Sequence, residues 1–331
     1  MKLKRVFFLL CFIFFFLCLP HVSASNISSY IVFDVHSRTV LEGKNIHNKA
    51  LIASTTKILT ALVALESSDI MSVLEVKKED TLIEGSKVYL QEGEHFLLID
   101  IVYGLMLRSG NDCANLLART YKGGYNAFME AMNEKAKDLG MKNSNFENPS
   151  GLDELDENIS TAYDMALLMS GAMKNEYFKE VASTHKYSTT SKEGRHYSWQ
   201  NKDKSLFSDS RFIAGKTGYT KKSGRILVNY ASAYARDVVI VTINDSADWT
   251  NHKLYLKNLE SYVIYTILKK GTYQIAGYLV KIDNDIKIPM LKEKKNDYRY
   301  ILYIGKKTYL HLYLDKLFIS TYEVKISPIY E

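Results

Sequence analysis

The chain is poor in cysteine and proline, and lacks any stretch long and apolar enough for an ordinary membrane span. It holds three cysteines in 331 residues. Cys11 and Cys18 fall in the first two dozen residues and only Cys113 lies beyond them. A chain processed after Ala24 therefore has no partner for an intramolecular disulfide, which excludes a disulfide scaffold. Four prolines and no low-complexity tract exclude long disordered linkers, and no internal repeat marks a solenoid. The eight histidines show no HExxH or other ligand spacing, so a zinc hydrolase is not expected. No basic cluster interleaved with aromatics points to nucleic acid.

What is present begins with an address. Lys2, Lys4 and Arg5 precede an apolar run of 14 residues, Val6 to Leu19, closed by Pro20. Val22-Ser23-Ala24 offers small residues for cleavage, so residues 1–24 read as a secretory signal peptide. The run is short for a span, which needs about 20 residues. Removing the segment takes three positive charges from the net +6 and leaves +3. About 300 remaining residues, in a chain that is 47% apolar, suffice for one large domain and a small one.

Tyr30–Val35 and Thr39–Leu41 read as strands around a His36-Ser37-Arg38 turn. Ser54 opens an apolar helix that runs to Glu66. Asp100 is expected to cap a second helix ending near Ser109-Gly110, and further helices cover about 112–121, 126–139 and 162–173. Arg225–Tyr230 and Val238–Ile243 read as strands joined through Arg236-Asp237. His252 to Leu268 is expected to be an amphipathic helix, and only short β-like runs follow Gly271. This order predicts an α/β composition of the α+β type, with helices packed on a largely antiparallel sheet. The expected division is a catalytic domain over 25–270 and a small β-rich domain over 271–331.

Three short strings carry the chemistry: Ser54-Thr55-Thr56-Lys57, Ser109-Gly110-Asn111 and Lys216-Thr217-Gly218. Each alone is ordinary, a helix cap or a turn. Together and in this order they are the parts of a serine acyl-transfer enzyme that uses lysine as its base. Ser54 and Lys57, three apart at a helix start, point the same way. A serine hydroxyl needs a group to take its proton, and lysine can do so only when neutral. Burial and a second cation, for which Lys216 is the candidate, disfavour the ammonium form. Ser109 can relay a proton between Lys57 and a leaving nitrogen, and Asn111 can orient a substrate amide. Lys216 and Thr217 suit a substrate carboxylate, and Gly218 lets a substrate backbone approach. The main-chain N–H groups of Ser54 and Tyr219 are candidates for an oxyanion hole. His252 reads as structural, and the alternating tyrosines of the tail as strand packing.

The residues around these strings extend the match. Ala53–Lys57 with Thr60–Glu66, Gly104–Asp112, Asn148–Asp153, Thr161–Ala166 and Gly215–Thr220 resemble the serine D-alanyl-D-alanine carboxypeptidases, the low-molecular-mass penicillin-binding proteins of peptidase family S11. The resemblance runs from about Tyr30 to Leu268. It implies a β-lactamase/transpeptidase-like fold, no cofactor and no metal. It implies Ser54 as acyl-enzyme nucleophile, Lys57 as proton acceptor, Ser109 as proton shuttle and Asn111 as substrate-orienting group. Lys216 and Thr217 would hold the terminal carboxylate of a peptidoglycan stem peptide ending in D-Ala-D-Ala, and β-lactams would acylate Ser54. The tail Val324–Glu331 carries no amphipathic helix of the kind that holds family members on the membrane, which leaves membrane association open. The alternatives are a D,D-endopeptidase, a non-catalytic wall or sporulation protein, and a class A-like β-lactamase that would use Glu154 and Asn158.

Overall fold

A computed structural model describes residues 27–153, 157–294 and 297–329. The signal segment and Glu154 lie outside the described residues.

One five-stranded antiparallel sheet organises the first part of the chain. Its strands are β1 (Ser29–Asp34), β2 (Thr39–Lys44), β3 (Phe212–Thr220), β4 (Gly224–Ala233) and β5 (Arg236–Ile243), in the order β2-β1-β5-β4-β3. Alternation along β5 shows how it is built. Val239, Val241 and Ile243 join the main core on one face, while Val238 and Ile240 join a second core on the other. Both faces are thus covered, which explains the continuous apolar run of this strand. The turn between β4 and β5 is Tyr234-Ala235, both left-handed, two residues before the expected Arg236-Asp237.

The main core lies between the sheet and helices α1 (Lys57–Ser67), α2 (Leu98–Arg108), α3 (Asn111–Thr120), α4 (Gly124–Asp138), α5 (Ala162–Ala172) and α6 (Glu176–Ser183). α1 is its axis, with every residue from Lys57 to Leu65 buried. A helix apolar all round is a core helix, and here it carries one charged side chain inside with it. Asp100 sits in the first turn of α2 rather than at its cap, and its carboxylate accepts the Leu97 N–H at 3.3 Å.

The opposite face of the sheet is covered by α7 (Asp248–Asn258), which buries Tyr255 and Leu256 against Val32, Val238 and Ile240. The expected helix over 252–268 ends here. Leu259–Ser261 tightens into a 3₁₀ turn, and Tyr262–Leu268 is a strand, β6. Its seven residues are aromatic, β-branched or leucine and pair with Ile286–Leu291, so β propensity and a partner strand outweigh the helical spacing.

The β-rich tail continues with β7 (Gly271–Ile275), β8 (Tyr278–Ile282), β9 (Ile286–Leu291), β10 (Tyr298–Tyr303), β11 (Tyr309–Leu314), β12 (Leu317–Glu323) and β13 (Lys325–Pro328). They form small antiparallel sheets around a third core that includes Ile288, Leu310 and Leu312. Tyr262 Oη donates to Leu41 O at 3.0 Å and Ser320 Oγ to Arg38 O at 3.4 Å. These bonds tie the tail to β2, the edge strand of the main sheet, and cover a surface that would otherwise template pairing.

Candidate active site

The first string sits on a strained turn. Ala53–Thr56 is a 3₁₀ turn leading directly into α1, and Ala53 has φ +44°. Two close approaches fix it. Gly218 of β3 lies so near that a Cβ there would be 3.2 Å from Ile52 O and Thr55 N. On the other side stands the Asn148–Asp153 turn, held by Asn148 Oδ1 accepting the N–H groups of Ser150 (3.1 Å) and Gly151 (2.7 Å). Gly151 has φ +82°, and a Cβ on it would stand 1.9 Å from Ala53 O. Asn158 locks turn and helix together, donating to Asn148 O at 2.8 Å and Thr56 Oγ1 at 3.0 Å. It also accepts the Glu147 and Asn148 N–H groups, so its amide is committed to structure.

Lys57 is fully buried at the centre. Its Nζ lies 3.0 Å from Ser54 Oγ and 2.7 Å from Asn111 Oδ1, and it also meets Ser150 O. Two of these partners, an amide oxygen and a carbonyl, can only accept. A neutral amine donates its two hydrogens to them and turns its lone pair to the Ser54 hydroxyl. Burial, then the charges of Lys216 and Lys202, hold Lys57 well below the ordinary lysine range. The expected second cation is therefore there, together with a third that carries no motif.

The second string begins where α2 ends. Ser109 is a left-handed cap residue, φ +62°. Its hydroxyl accepts from Lys216 Nζ at 3.1 Å, and among the described residues no bond joins it to Lys57. Its partner in this structure is Lys216. Asn111 is likewise occupied, accepting from Lys57 and donating to Glu84 O at 2.6 Å. In this state its amide positions the lysine, and one N–H hydrogen stays uncommitted. Asp112 accepts the N–H groups of Val88, Tyr89 and Leu90 and so pins the segment that follows Ser86 to α3.

The third string lies on β3. Lys216 is buried, and burial together with Lys202 lowers its pKa to about 7. Asp203 opposes that shift from beneath. Its carboxylate packs where a side chain on Gly215 would be, 1.9 Å from the ideal Cβ position, and accepts from Asn229 Nδ2 at 2.5 Å. Asn229 Oδ1 in turn meets His252 Nδ1 at 2.7 Å, and His252 Nε2 meets Thr242 Oγ1 at 3.1 Å. Burial lowers the His252 pKa to about 3, so the ring is neutral and serves as a strut.

Ser54, Ser109, Thr217, Gly218 and the exposed Tyr219 share one cleft of about 360 Å³. Sequence reasoning missed the rest of its wall. Lys202 donates to Ser86 Oγ at 2.9 Å. Arg225 is paired through two nitrogens with Asp248 (2.8 Å from Nη2) and stacked 4.4 Å from the centre of the Trp249 ring. None of these belongs to a motif; only the glycine two residues ahead of Thr217 hinted at close packing beneath the strand. The assembled groups suit acyl transfer: a serine hydroxyl, a buried lysine beside it whose pKa is held down, and a second hydroxyl bonded to a second lysine.

The model of the D-alanyl-D-alanine carboxypeptidases, peptidase S11, matches residues 19–247. The chain belongs to this family. The S11 assignment makes it a serine hydrolase with the penicillin-binding fold. Carboxypeptidase DacB2 of Mycobacterium tuberculosis is 34% identical over 213 residues, 64% of this chain and 72% of that protein. DacF of Bacillus subtilis is 30% identical over 211 residues, but the match spans 52% of its length. A D-alanyl-D-alanine endopeptidase of Pseudomonas aeruginosa is 28% identical over 227 residues, 67% of this chain and 73% of that protein. Among solved structures, a Streptomyces K15 DD-transpeptidase mutant superposes with TM-score 0.66 at 28% identity, covering 70% of this chain and 97% of its own. DacD of Francisella tularensis, at 20% identity and TM-score 0.71, covers 92% of this chain and 94% of its own, and shares the fold.

Proposed function

We propose that this enzyme is a D,D-carboxypeptidase that removes the terminal D-Ala from peptidoglycan stem peptides through an acyl-enzyme on Ser54. The observation that carries the reading is Lys57, fully buried between the Ser54 hydroxyl and two acceptor-only oxygens, with its pKa held well below the ordinary lysine range by burial and by Lys216. Lys57 takes the Ser54 proton as Oγ attacks the carbonyl of the penultimate D-Ala. The N–H groups of Ser54 and Tyr219 receive the developing oxyanion, a contribution of about 3–4 kcal/mol per donor in such sites. The C–N bond breaks and the D-Ala amine leaves with the proton that Lys57 took from Ser54, passed on by the Ser109 hydroxyl, and Lys57 is neutral again. Water then attacks the ester and Ser54 regains its proton. Thr217, which lines the cleft, and Lys216, bonded to Ser109 at the same cleft, bind the substrate carboxylate. β-Lactams enter the same cleft and acylate the same oxygen.

Likeness to the Pseudomonas endopeptidase favours a second reading, cleavage of D,D cross-links by the same steps. Incubation with pentapeptide and with cross-linked dimer decides between them. Release of D-Ala from pentapeptide with the dimer left intact supports the carboxypeptidase, and release of monomer as the faster reaction overturns it. We further propose export by the 1–24 segment to the outer face of the cytoplasmic membrane or the wall. N-terminal sequencing of the cell-surface protein should begin at Ser25, and a protein retained in the cytoplasm would refute export.

A further inference from the structure

A second cleft, of about 680 Å³, shares no residue with the one around Ser54. It lies where the β1–β2 turn, the Ile46–Asn48 segment and the start of α5 face strands β10 to β12 of the tail. Its size and mixed lining are those of a ligand site. Two features set it apart from a packing gap.

The first is a wall of rings. His47 lies 5.0 Å from Tyr163 and 5.8 Å from Phe318, centre to centre, and Tyr303 lies 4.2 Å from His311. Tyr303 is 47% exposed, so a broad aromatic face is left open. Burial lowers the pKa of both histidines, so their rings present neutral faces and edges. The second feature is uncompensated charge. Arg38, Lys142 and Lys316 line the cleft, are exposed, and enter no ion pair among the described residues. The cleft's one carboxylate, Asp164, is turned to Asn143 N (2.7 Å) and Ser144 Oγ (2.8 Å) and does not reach the cations.

Open ring faces beside unpaired cations fit a ligand made of flat-faced rings that carry negative charge. Resting on the peptidoglycan reading above, we propose that this cleft binds stretches of the cell-wall glycan strand from which stem peptides have been removed: the N-acetylated sugars stack on the rings, and the lactyl carboxylates, free only where the stem-peptide amide has been cleaved, meet Arg38, Lys142 and Lys316. Asn45, Asn48 and Asn143 supply amides for the acetamido and hydroxyl groups. A strand held by such a stretch raises the local concentration at Ser54 of the stem peptides it carries elsewhere along its length.

The test uses stem-free glycan strands, made by stripping the peptides from sacculi with an amidase, and titration calorimetry on full-length Ser54→Ala protein. Binding is expected, equal in wild type and Ser54→Ala, and weakened 10-fold or more in Lys142→Glu/Lys316→Glu and in Tyr303→Ala. Uncharged chitin oligomers should bind less well than the strands. On a small soluble peptide the charge-reversal variant should keep wild-type turnover, which also shows that it folds, while its rate on whole sacculi falls. Strands that bind the variants as tightly as the parent, or do not bind the parent, overturn the proposal. Vesicles of anionic phospholipid that bind with the same losses would assign the cleft to a lipid surface instead. Because Ser54→Ala cannot turn over substrate, strand binding and penicillin labelling fail independently of one another.

Discussion

Gly151→Ala separates the geometry of the Lys57 site from the general cost of a strained backbone. Gly151 is left-handed, and an L side chain there costs about 1–2 kcal/mol. Its Cβ would also stand 1.9 Å from Ala53 O and 2.4 Å from the Ala53 carbonyl carbon. Relief requires the turn to retreat from the Ser54 segment by roughly 1 Å, a shift that costs about 100-fold when it falls on a catalytic group. That turn carries the Ser150 carbonyl that holds Lys57. The matched control is Gly194→Ala. Gly194 is equally left-handed, φ +90°, with nothing within 4 Å of the added atom. Gly194→Ala should lose about 1–2 kcal/mol of stability, seen as a fall in Tm of roughly 2–8 °C, and Gly151→Ala more, since its clash with the Ala53 backbone adds to the same conformational cost. Only Gly151→Ala should also lose about two orders of magnitude in acylation rate, measured by stopped labelling with a fluorescent penicillin. Acylation by Gly151→Ala within threefold of wild type would refute the claim that this turn sets the position of the base.

Three further outcomes follow from the lysine cluster. Lys57→Arg should lower acylation by about 10²–10⁴-fold, because arginine stays charged; substantial residual labelling would refute lysine as the base. Lys202→Met removes a cation that lowers the pKa of both Lys57 and Lys216, so both hold their protons more tightly and the acid limb of the acylation profile should move to higher pH; an unmoved limb contradicts the electrostatic role. Lys216 titrates near 7 when folded against an ordinary 10.5, so between those values the unfolded chain binds more protons and this group makes stability rise with pH. Denaturant melts from pH 7 to 9.5 should show that rise in wild type and a flatter curve in Lys216→Met.

The three strings were legible because their meaning is local: residue types at fixed short spacing, each at a helix start, a helix end or a strand. The antiparallel sheet and the central helix were legible for the same reason, through alternation in β5 and the apolar run of α1. Lys202 and Asp203 were not, since nothing in Asn201-Lys202-Asp203-Lys204 says that one lysine faces the cleft while the aspartate lies under Lys216. Their roles exist only after β3 and the segment before it are brought together. The partner of Ser109 was hidden for a related reason: spacing placed it in the site, but only the fold brings Lys216 Nζ to its hydroxyl. Tyr262–Leu268 was misread because apolar spacing continues from α7, whereas the strand it pairs with, Ile286–Leu291, begins 18 residues after Leu268.

The central claim is that Ser54 is the nucleophile and Lys57 its base. Intact-mass measurement with peptide mapping, after brief exposure of the purified protein to benzylpenicillin, tests it most directly. One penicilloyl group per chain, mapped to Ser54 and absent from Lys57→Arg, is the predicted result. An adduct on Ser109 or any other residue, or full labelling of Lys57→Arg, would contradict it.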